Sequence, residues 1–324
     1  MTQNRTISVI SGLGSDQLLF KKMTGHEAMG RLFEFELELL RPEKYGAVDV
    51  GKILGEDMTV KVTGNNKFSR FFNGAVVQFK HTGIENKFYS YRATLRPWLW
   101  FLTLSSDCKI FQDKKIPEII EEVFADYSFA LVDSQLSGDY EVLEYCVQYR
   151  ESDFDFISRL MEHAGIFYYF KHEEGKHTLV LADSGNAYHN VSEYDNMPYF
   201  PPENLERRER DHIYEWRIEH RVRTGKYELN DFDFESPSTD LTAKSQIKQS
   251  HAHNDLEIFD FPGKYKDADI GRGLTDKRIE EVHSSYSTIQ GAGDALALQS
   301  GLEFTLNNFY FRQENTKHFI ISAE

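Results

Sequence analysis

The segment Arg31-Leu-Phe-Glu-Phe-Glu-Leu-Glu-Leu-Leu40 alternates between apolar and acidic side chains. Its apolar members are Phe33, Phe35, Leu37 and Leu39, and its acidic members are Glu34, Glu36 and Glu38. Because successive side chains of a β-strand point to opposite faces, this period of two predicts a strand with one face in a core. The other face would carry carboxylates into water.

The flanking sequence extends this strand pattern through the first 97 residues. Strand-like runs cover Met58–Val62, Phe68–Lys80 and Phe88–Leu104, and the Gly64-Asn65-Asn66 and Gly83 positions supply turns between them. The composition favours strands too, since 14% of the chain is aromatic, with 25 Phe and 17 Tyr among 324 residues. We predict that residues 1–97 form a first, tube-like antiparallel β-barrel domain.

Helical signals appear only after Trp100, and they define a second domain at residues 98–204. Apolar residues spaced for one helix face cover Ile116–Phe124, with Pro117 in the first turn. A second helix is predicted over Ser152–His163, with Ser152 as N-cap and Gly165 as left-handed stop. Its predicted buried side consists of Phe154, Ile157, Leu160 and Met161. A hairpin of Ile166–Lys171 and Thr178–Ala182 completes this α+β unit.

A Pro- and Asn-rich loop, Asn196–Asn204, separates the α+β unit from a third segment at residues 205–324. Predicted strands there are Ile213–Val222, Lys226–Glu235, Leu302–Leu306 and His318–Ser322, with a less regular helix at Ile270–Ser287. We predict a second tube-like β-barrel, with a truncation at its C-terminus left open. The predicted fold class is therefore mainly β, with two tube-like antiparallel β-barrel domains flanking an α+β domain.

Charge and apolar content narrow the partners of the chain. The 37 Lys and Arg against 52 Asp and Glu give a net charge of −15, which repels nucleic acid. No apolar run approaches the ~20 residues of a membrane helix, and the N-terminus lacks a Sec signal, so we expect synthesis in the cytoplasm and no stable membrane insertion. Cys108 and Cys146 are predicted to be buried, reduced thiols, with a single disulfide left open.

The sequence predicts no catalytic residue, cofactor or metal. His251 and His253 would share a strand face, but no third ligand stands at a recognised spacing. His172 and His177 flank the predicted hairpin turn and are expected at the surface. No nucleophile or phosphate-loop motif occurs, and the basic run Arg207-Arg208-Glu209-Arg210 is expected to pair with an acidic interface rather than nucleic acid. We predict a non-enzymatic protein, with a hydrolase as an alternative.

One block, YCVQYRESDFDFISRLMEHAGIFYYF at Tyr145–Phe170, closely resembles a hallmark of the VgrG spike proteins of type VI secretion systems. Three further blocks resemble the same family in the same order: DCKIFQDKKIPEII at Asp107–Ile120, HTLVLADS at His177–Ser184, and LEIFDFPGKY at Leu256–Tyr265. We identify the chain as similar to the phage tail hub-like N-terminal base of that family.

The resemblance implies a function as a structural base. It implies a homotrimer whose six barrels form a pseudo-sixfold face on the hexameric tube protein Hcp, with a puncturing needle and effector or adaptor proteins as further partners. It implies export from the bacterial cytoplasm by the type VI machine. A hub protein of a contractile phage tail is the alternative. Because the family continues into an OB-fold and a needle, the end at Glu324, which we expect to lie inside a strand, suggests a fragment.

The resemblance also singles out residues that we expect to maintain the fold: Phe111, Tyr149, Arg150, Glu151, Asp153, Phe154, Arg159, Leu160, Gly165, Pro262 and Gly263. Phe154 and Leu160 are expected in the core. The four charged positions of this set, at residues 150, 151, 153 and 159, are expected to form a buried ion-pair network that fixes the helix to the hairpin. Pro262 and Gly263 are expected to set a turn.

Overall fold

The computed structural model describes residues 6–14, 16–64, 68–203 and 211–324. The basic run at 207–210 and the turn residues Asn65 and Asn66 lie outside the described residues. The strands of the first half of the chain are β1 (Ile7–Ser11), β2 (Leu19–Ala28), β3 (Glu34–Pro42), β4 (Asp57–Thr63), β5 (Ser69–Glu85), β6 (Phe88–Arg96), β7 (Ser106–Phe111), β8 (Lys114–Lys115), β9 (Val132–Gln135), β10 (Val142–Leu143) and β11 (Cys146–Ser152). The remaining strands are β12 (Phe167–Glu173), β13 (Lys176–Ala182), β14 (Asn196–Pro198), β15 (Ile213–His220), β16 (Lys226–Leu229), β17 (Ala243–Gln246), β18 (Glu257–Asp260), β19 (Ser287–Gly293), β20 (Glu303–Asn307), β21 (Lys317–Phe319) and β22 (Ser322–Ala323).

Helices are few among the described residues, and the predicted mainly β class is confirmed. The α-helices are α1 (Ile116–Ala125), α2 (Asp153–Ala164) and α3 (Ala268–His283). Short 3₁₀ helices cover Glu43–Tyr45, Val50–Lys52, Trp98–Leu104, Gly185–Ala187 and Arg312–Glu314. In the described ranges, none of the helices is both long and apolar enough to cross a bilayer.

The chain divides into two compact units, Met1–Met197 with Ala295–Glu324, and Pro198–Asp294. The last three strands, β20 to β22, belong to the first unit although they lie at the end of the chain. The predicted division into domains at 1–97, 98–204 and 205–324 stays a prediction.

A seven-stranded sheet in the order β1-β4-β5-β6-β3-β2-β22 organises the first unit. Its paired strands are antiparallel, and β3 lies between β2 and β6. The alternation of β3 is confirmed: Phe35, Leu37 and Leu39 are buried, and so is Phe33 just before the strand. The single-sided pattern of one sequence segment thus places the sheet face on which the core is built.

The α+β part of the first unit follows the predicted helices and hairpin. All five apolar residues of the α1 stripe are buried. At the start of α2, Ser152 accepts a hydrogen bond from the Asp155 backbone N–H at 3.0 Å, and the helix ends at Gly165 with φ of 73°. The hairpin forms from β12 and β13, and β9 adds to β13 in parallel. The predicted burial of Phe154 needs correction, because Phe156 occupies the core and Phe154 is only partly buried.

The second unit contains two small sheets and α3. In one sheet, β15 and β19 pair antiparallel. In the other, β16 lies between β17 and β18, antiparallel to β17 and parallel to β18. A separate core forms where α3 packs on this sheet, from Tyr227, Leu229, Leu241, Ala243, Tyr265 and Ile279. The strand predicted at Lys226–Glu235 is shorter than expected, ending at Leu229. Acidic turn residues follow it, and they hydrogen-bond their own backbone instead of continuing the ladder.

Candidate assembly surfaces and a buried polar network

The hallmark block forms half of a two-stranded β-ribbon. Strands β7 and β11 pair antiparallel, with Cys146 opposite Phe111 and Tyr149 opposite Cys108. Phe111, Cys146 and Gln148 point inward and are buried. The outer face carries Ile110, Tyr145 and Tyr149, which are 59–65% exposed. We call these three residues, with Arg150, the ribbon surface.

A β-bulge turns Arg150 onto this outer face. The pairing register shifts between Tyr149 and Glu151, so Arg150 is the extra residue, and its φ is 53°. In a regular strand the side chain after Tyr149 would point to the opposite face. Instead, the guanidinium carbon of Arg150 lies 5.3 Å from the centre of the Tyr149 ring. The bulge therefore sets a cation beside an exposed aromatic ring.

The prediction that the charged residues of the block form a buried ion-pair network is wrong, because the ion pair lies at the surface. Arg159 does pair with Glu151, through Nε at 3.0 Å from both carboxylate oxygens, but both side chains are partly exposed. The same guanidinium donates to the Val147 carbonyl at 2.6 Å and covers the Phe156 ring at 4.9 Å. Arg159 therefore ties α2 to β11 at the surface, where water can solvate a charge that a core could not accommodate.

Asp153 is the buried member of the block, and its partners are neutral. Gln148 Nε2 donates to one carboxylate oxygen at 2.6 Å, and the Tyr127 hydroxyl donates to the other. Burial, together with this hydrogen bond, raises the pKa of Tyr127, so the hydroxyl keeps its proton. Beneath the ribbon, Phe111 stacks on Phe156 at 5.4 Å, and Leu160 is buried as predicted. The block joins ribbon and helix mainly through this core.

We predict that Arg159→Ala lowers the free energy of unfolding by about 1–2 kcal/mol, since it removes a half-exposed ion pair, a backbone hydrogen bond and a ring contact. Arg159→Lys should recover only part, because an ammonium cannot contact the carboxylate bidentately. Urea denaturation measures both. As a control, Arg217→Ala removes an exposed pair with Glu215 and should cost less than about 0.5 kcal/mol. Equal losses for the two alanine variants would contradict the prediction.

A second exposed apolar surface lies on the second unit. Strand β18 forms one edge of its sheet, and all four of its residues are exposed. Four phenylalanines on β18 and on the segments that follow β16 and β18 are 56–74% exposed: Phe232, Phe234, Phe259 and Phe261. We call these four, with Glu257 and Asp260, the edge surface. Gly263 follows a cis Phe261–Pro262 peptide, and its missing Cβ leaves room for the buried Tyr265 ring.

Carboxylates accompany these rings. The acidic residues there are Asp231, Asp233, Glu235, Glu257 and Asp260. Several organise the turns, since Asp231 accepts from the Phe232 N–H and Asp260 from the Phe261 N–H. Within the described part of the chain, one of these five carboxylates forms an ion pair: Glu235 lies 3.8 Å from the Lys266 ammonium. The edge surface is therefore both aromatic and negative.

A polar network that the sequence analysis did not predict lies inside the first unit. Arg70 on β5 and Glu27 on β2 form a buried ion pair at 2.5 Å. Arg70 also donates to the carbonyls of Leu296 and Leu298, at 3.0 and 2.5 Å, and stacks on Phe72 at 4.3 Å. Burial raises the pKa of Glu27 above its usual value despite the neighbouring cation. The pair therefore joins two strands to the returning end of the chain.

His172 and His177, predicted at the surface, are buried in this network. They face each other across the β12–β13 hairpin. His177 Nε2 accepts from the Trp98 N–H at 2.7 Å, which leaves Nδ1 to donate to Asn73 Oδ1 at 2.6 Å. His172 Nδ1 contacts the Asn73 backbone, and its Nε2 lies 3.8 Å from Glu27. Burial lowers the pKa of both imidazoles, to about 3 for His177.

The remaining candidates are not brought together into a reactive cluster. In the described ranges, no three His, Cys, Asp or Glu side chains lie close enough to hold a metal ion. His253 is exposed, and His251 contacts the Ala252 carbonyl through Nδ1 at 2.8 Å. Both cysteines are free thiols; Cys146 is buried as predicted, whereas Cys108 is exposed because it lies on the outer face of the ribbon.

Comparison with known proteins assigns this fold. Residues 26–324 match the family model of the phage tail baseplate hub (GPD). The type VI secretion system spike protein VgrG1b of Pseudomonas aeruginosa is 40% identical over 322 residues, which is 99% of this chain and 43% of the relative. The chain thus spans less than half the length of this relative.

Two solved structures share the fold at low identity. The c3393 protein of E. coli, described as a component of the type VI secretion system similar to phage T4 tail proteins gp27 and gp5, superposes with a TM-score of 0.66 at 16% identity, covering 98% of this chain and 68% of that one. A Francisella PdpA–VgrG complex gives 0.51 at 12% identity, covering 79% and 43%. The chain therefore belongs to the phage tail baseplate hub family, with VgrG spike proteins of type VI secretion among its relatives.

Proposed function

We propose that this chain is the structural base of a type VI secretion spike. The observation that carries the proposal is the 40% identity to a spike protein over 99% of the chain, together with the hub fold. Exposed aromatic side chains on the ribbon and edge surfaces support an assembly role, because monomeric proteins rarely leave such clusters in water. The chain works by docking, without turnover.

The proposed arrangement is a trimer with six barrels. Residues 1–97 and 205–324 would each supply a tube-like β unit, and they flank the α+β unit of residues 98–204 in the sequence. Three copies then present a pseudo-sixfold face, which can match the hexameric Hcp tube. In the whole spike a needle would follow, and effector or adaptor proteins would bind; a PdpA–VgrG complex with this fold supports such partners. The spike would leave the cytoplasm through the type VI machine itself.

Sedimentation velocity and negative-stain imaging test this proposal. We expect a particle of about 113 kDa, three times the 37.7 kDa chain, with an approximately sixfold projection. Purified Hcp rings should cosediment with it, while rings of an unrelated hexamer serve as control. A chain that stays monomeric at the highest attainable concentration and ignores Hcp would overturn the proposal. Cosedimentation with phage tube protein in place of Hcp would favour a phage tail hub.

A further inference from the structure

The proposed trimer places a requirement on the surface of each chain. In a closed ring of three identical subunits, every interface is heterologous, so one surface of a copy meets a different surface of the next. The chain must then present two unlike surfaces that complement each other. Among the exposed aromatic surfaces of the described residues, the ribbon surface in the first unit carries an arginine and the edge surface in the second carries carboxylates.

The edge surface is unsuited to pairing with itself. An open strand such as β18 invites another strand, and proteins commonly guard it with charges. Here the guards are Glu257 and Asp260, both acidic. Two copies of this edge laid side by side would bring like charges together, which opposes a twofold contact. Its partner must therefore offer apolar area together with positive charge.

The ribbon surface has this chemistry. Tyr149 and Ile110 supply apolar area, and the bulge adds the Arg150 guanidinium beside the Tyr149 ring. No described carboxylate forms an ion pair with Arg150, whereas Arg159 nearby is already engaged by Glu151. Tyr and Arg are among the residue types enriched at protein interfaces. An arginine can also donate two parallel hydrogen bonds to one carboxylate.

The edge surface supplies a matching pair of side chains. Glu257 and Phe259 are two residues apart on β18, so they share one face of the strand. We propose, as a refinement that rests on the trimer proposed above, that the edge surface of one copy docks on the ribbon surface of the next copy. Phe259 packs against Tyr149 in this contact, and Glu257 pairs with Arg150.

Sedimentation velocity on two single variants tests the pairing. Tyr149→Asp disrupts the ribbon surface, and Phe259→Asp disrupts the edge surface. Both side chains are exposed, so circular dichroism should show that each variant keeps the fold. Each variant alone should be monomeric. An equimolar mixture should form a dimer and no trimer, because each copy retains one intact surface. Ile84→Asp, at a 62% exposed site on β5 outside both surfaces, should remain trimeric.

A charge reversal tests the proposed contact a second time. Arg150→Glu should weaken the trimer, and adding Glu257→Arg to the same chain should restore it. If the wild type is a trimer and the Tyr149→Asp or Phe259→Asp variant remains one, the pairing is wrong while the proposed function stands. The same conclusion follows if the mixture yields no dimer. If the wild type itself never trimerises, this refinement fails, and if it does not bind Hcp either, the proposed function fails with it.

Discussion

Replacing Arg70 with alanine is expected to lower the free energy of unfolding by about 3–5 kcal/mol, the cost of leaving one member of a buried ion pair without its partner. Glu27 would keep its carboxyl in the interior with no cation beside it. The carbonyls of Leu296 and Leu298 would lose a charged donor as well. Arg70 on β5, Glu27 on β2 and the segment with Leu296 and Leu298 lie on different parts of the chain, so one substitution loosens two strands and the segment that returns to them.

Urea denaturation in a Trp216→Phe background measures this loss. The chain has three tryptophans, and the other two, Trp98 and Trp100, both lie in the first unit, so their fluorescence reports on that unit. Arg92→Ala is the matched control, since its contact with Glu38 is at the surface and should contribute less than about 1 kcal/mol. Removing both charges with Glu27→Gln and Arg70→Met should cost less than Arg70→Ala alone. An Arg70→Ala variant as stable as Arg92→Ala would refute the argument.

The features that the sequence predicts well are those decided by near neighbours. The alternation of β3, the apolar stripe of α1 and the Ser152 cap of α2 each depend on residues within a few positions of one another. Their physical causes, side-chain period and local hydrogen bonding, act within a single element. The hairpin of β12 and β13 belongs to the same class, because Gly175 adopts φ of 78° at the turn between them.

The buried network could not be predicted in this way, because its partners are distant in sequence. Arg70 and Glu27 are 43 positions apart, and Asn73 and His177 are 104 apart. One signal was nonetheless available. His172 is two residues from Phe170, and His177 two from Leu179, so strand alternation places each imidazole on the same face as a buried apolar side chain. Their position near the turn suggested that the imidazoles are exposed, but the face of the hairpin on which they lie is packed against the core.

The ribbon shows the same limit for the recognised motif. The motif residues Arg150, Glu151 and Asp153 are nearly adjacent, yet one lies on an exposed bulge, one in a surface ion pair and one in the core. A single inserted residue in the pairing of β11 separates the first two environments, and the start of α2 at Asp153 separates the third. Since that insertion depends on the partner strand β7, no pattern within β11 reveals it.

The buried histidines lead to a pH dependence. The unfolded imidazole has a pKa near 6.5, whereas burial lowers that of His177 to about 3 in the fold. Between these values the unfolded chain binds a proton that the folded chain does not, so stability falls as the pH is lowered through this window. We expect His177 to contribute a loss of roughly 2 kcal/mol between pH 7 and 5, with His172 acting in the same direction. The raised pKa of Glu27 acts in the opposite direction.

Comparing His177→Gln with the wild type removes the titration of this residue, while burial, the largest cause of the pKa shifts of His172 and Glu27, acts in both proteins. The variant starts less stable at neutral pH, since it disturbs the contacts with Trp98 and Asn73. As the pH is lowered from 6 to 4, the free energy of unfolding of the variant should fall less steeply than that of the wild type. The two slopes should differ by about 1.4 kcal/mol per pH unit. His253→Asn, at an exposed position with φ of 65° that asparagine tolerates, should follow the wild-type slope. If the free energies of unfolding of His177→Gln and the wild type changed in parallel with pH, the prediction would be wrong. His177 would then bind a proton equally well in the folded and the unfolded chain.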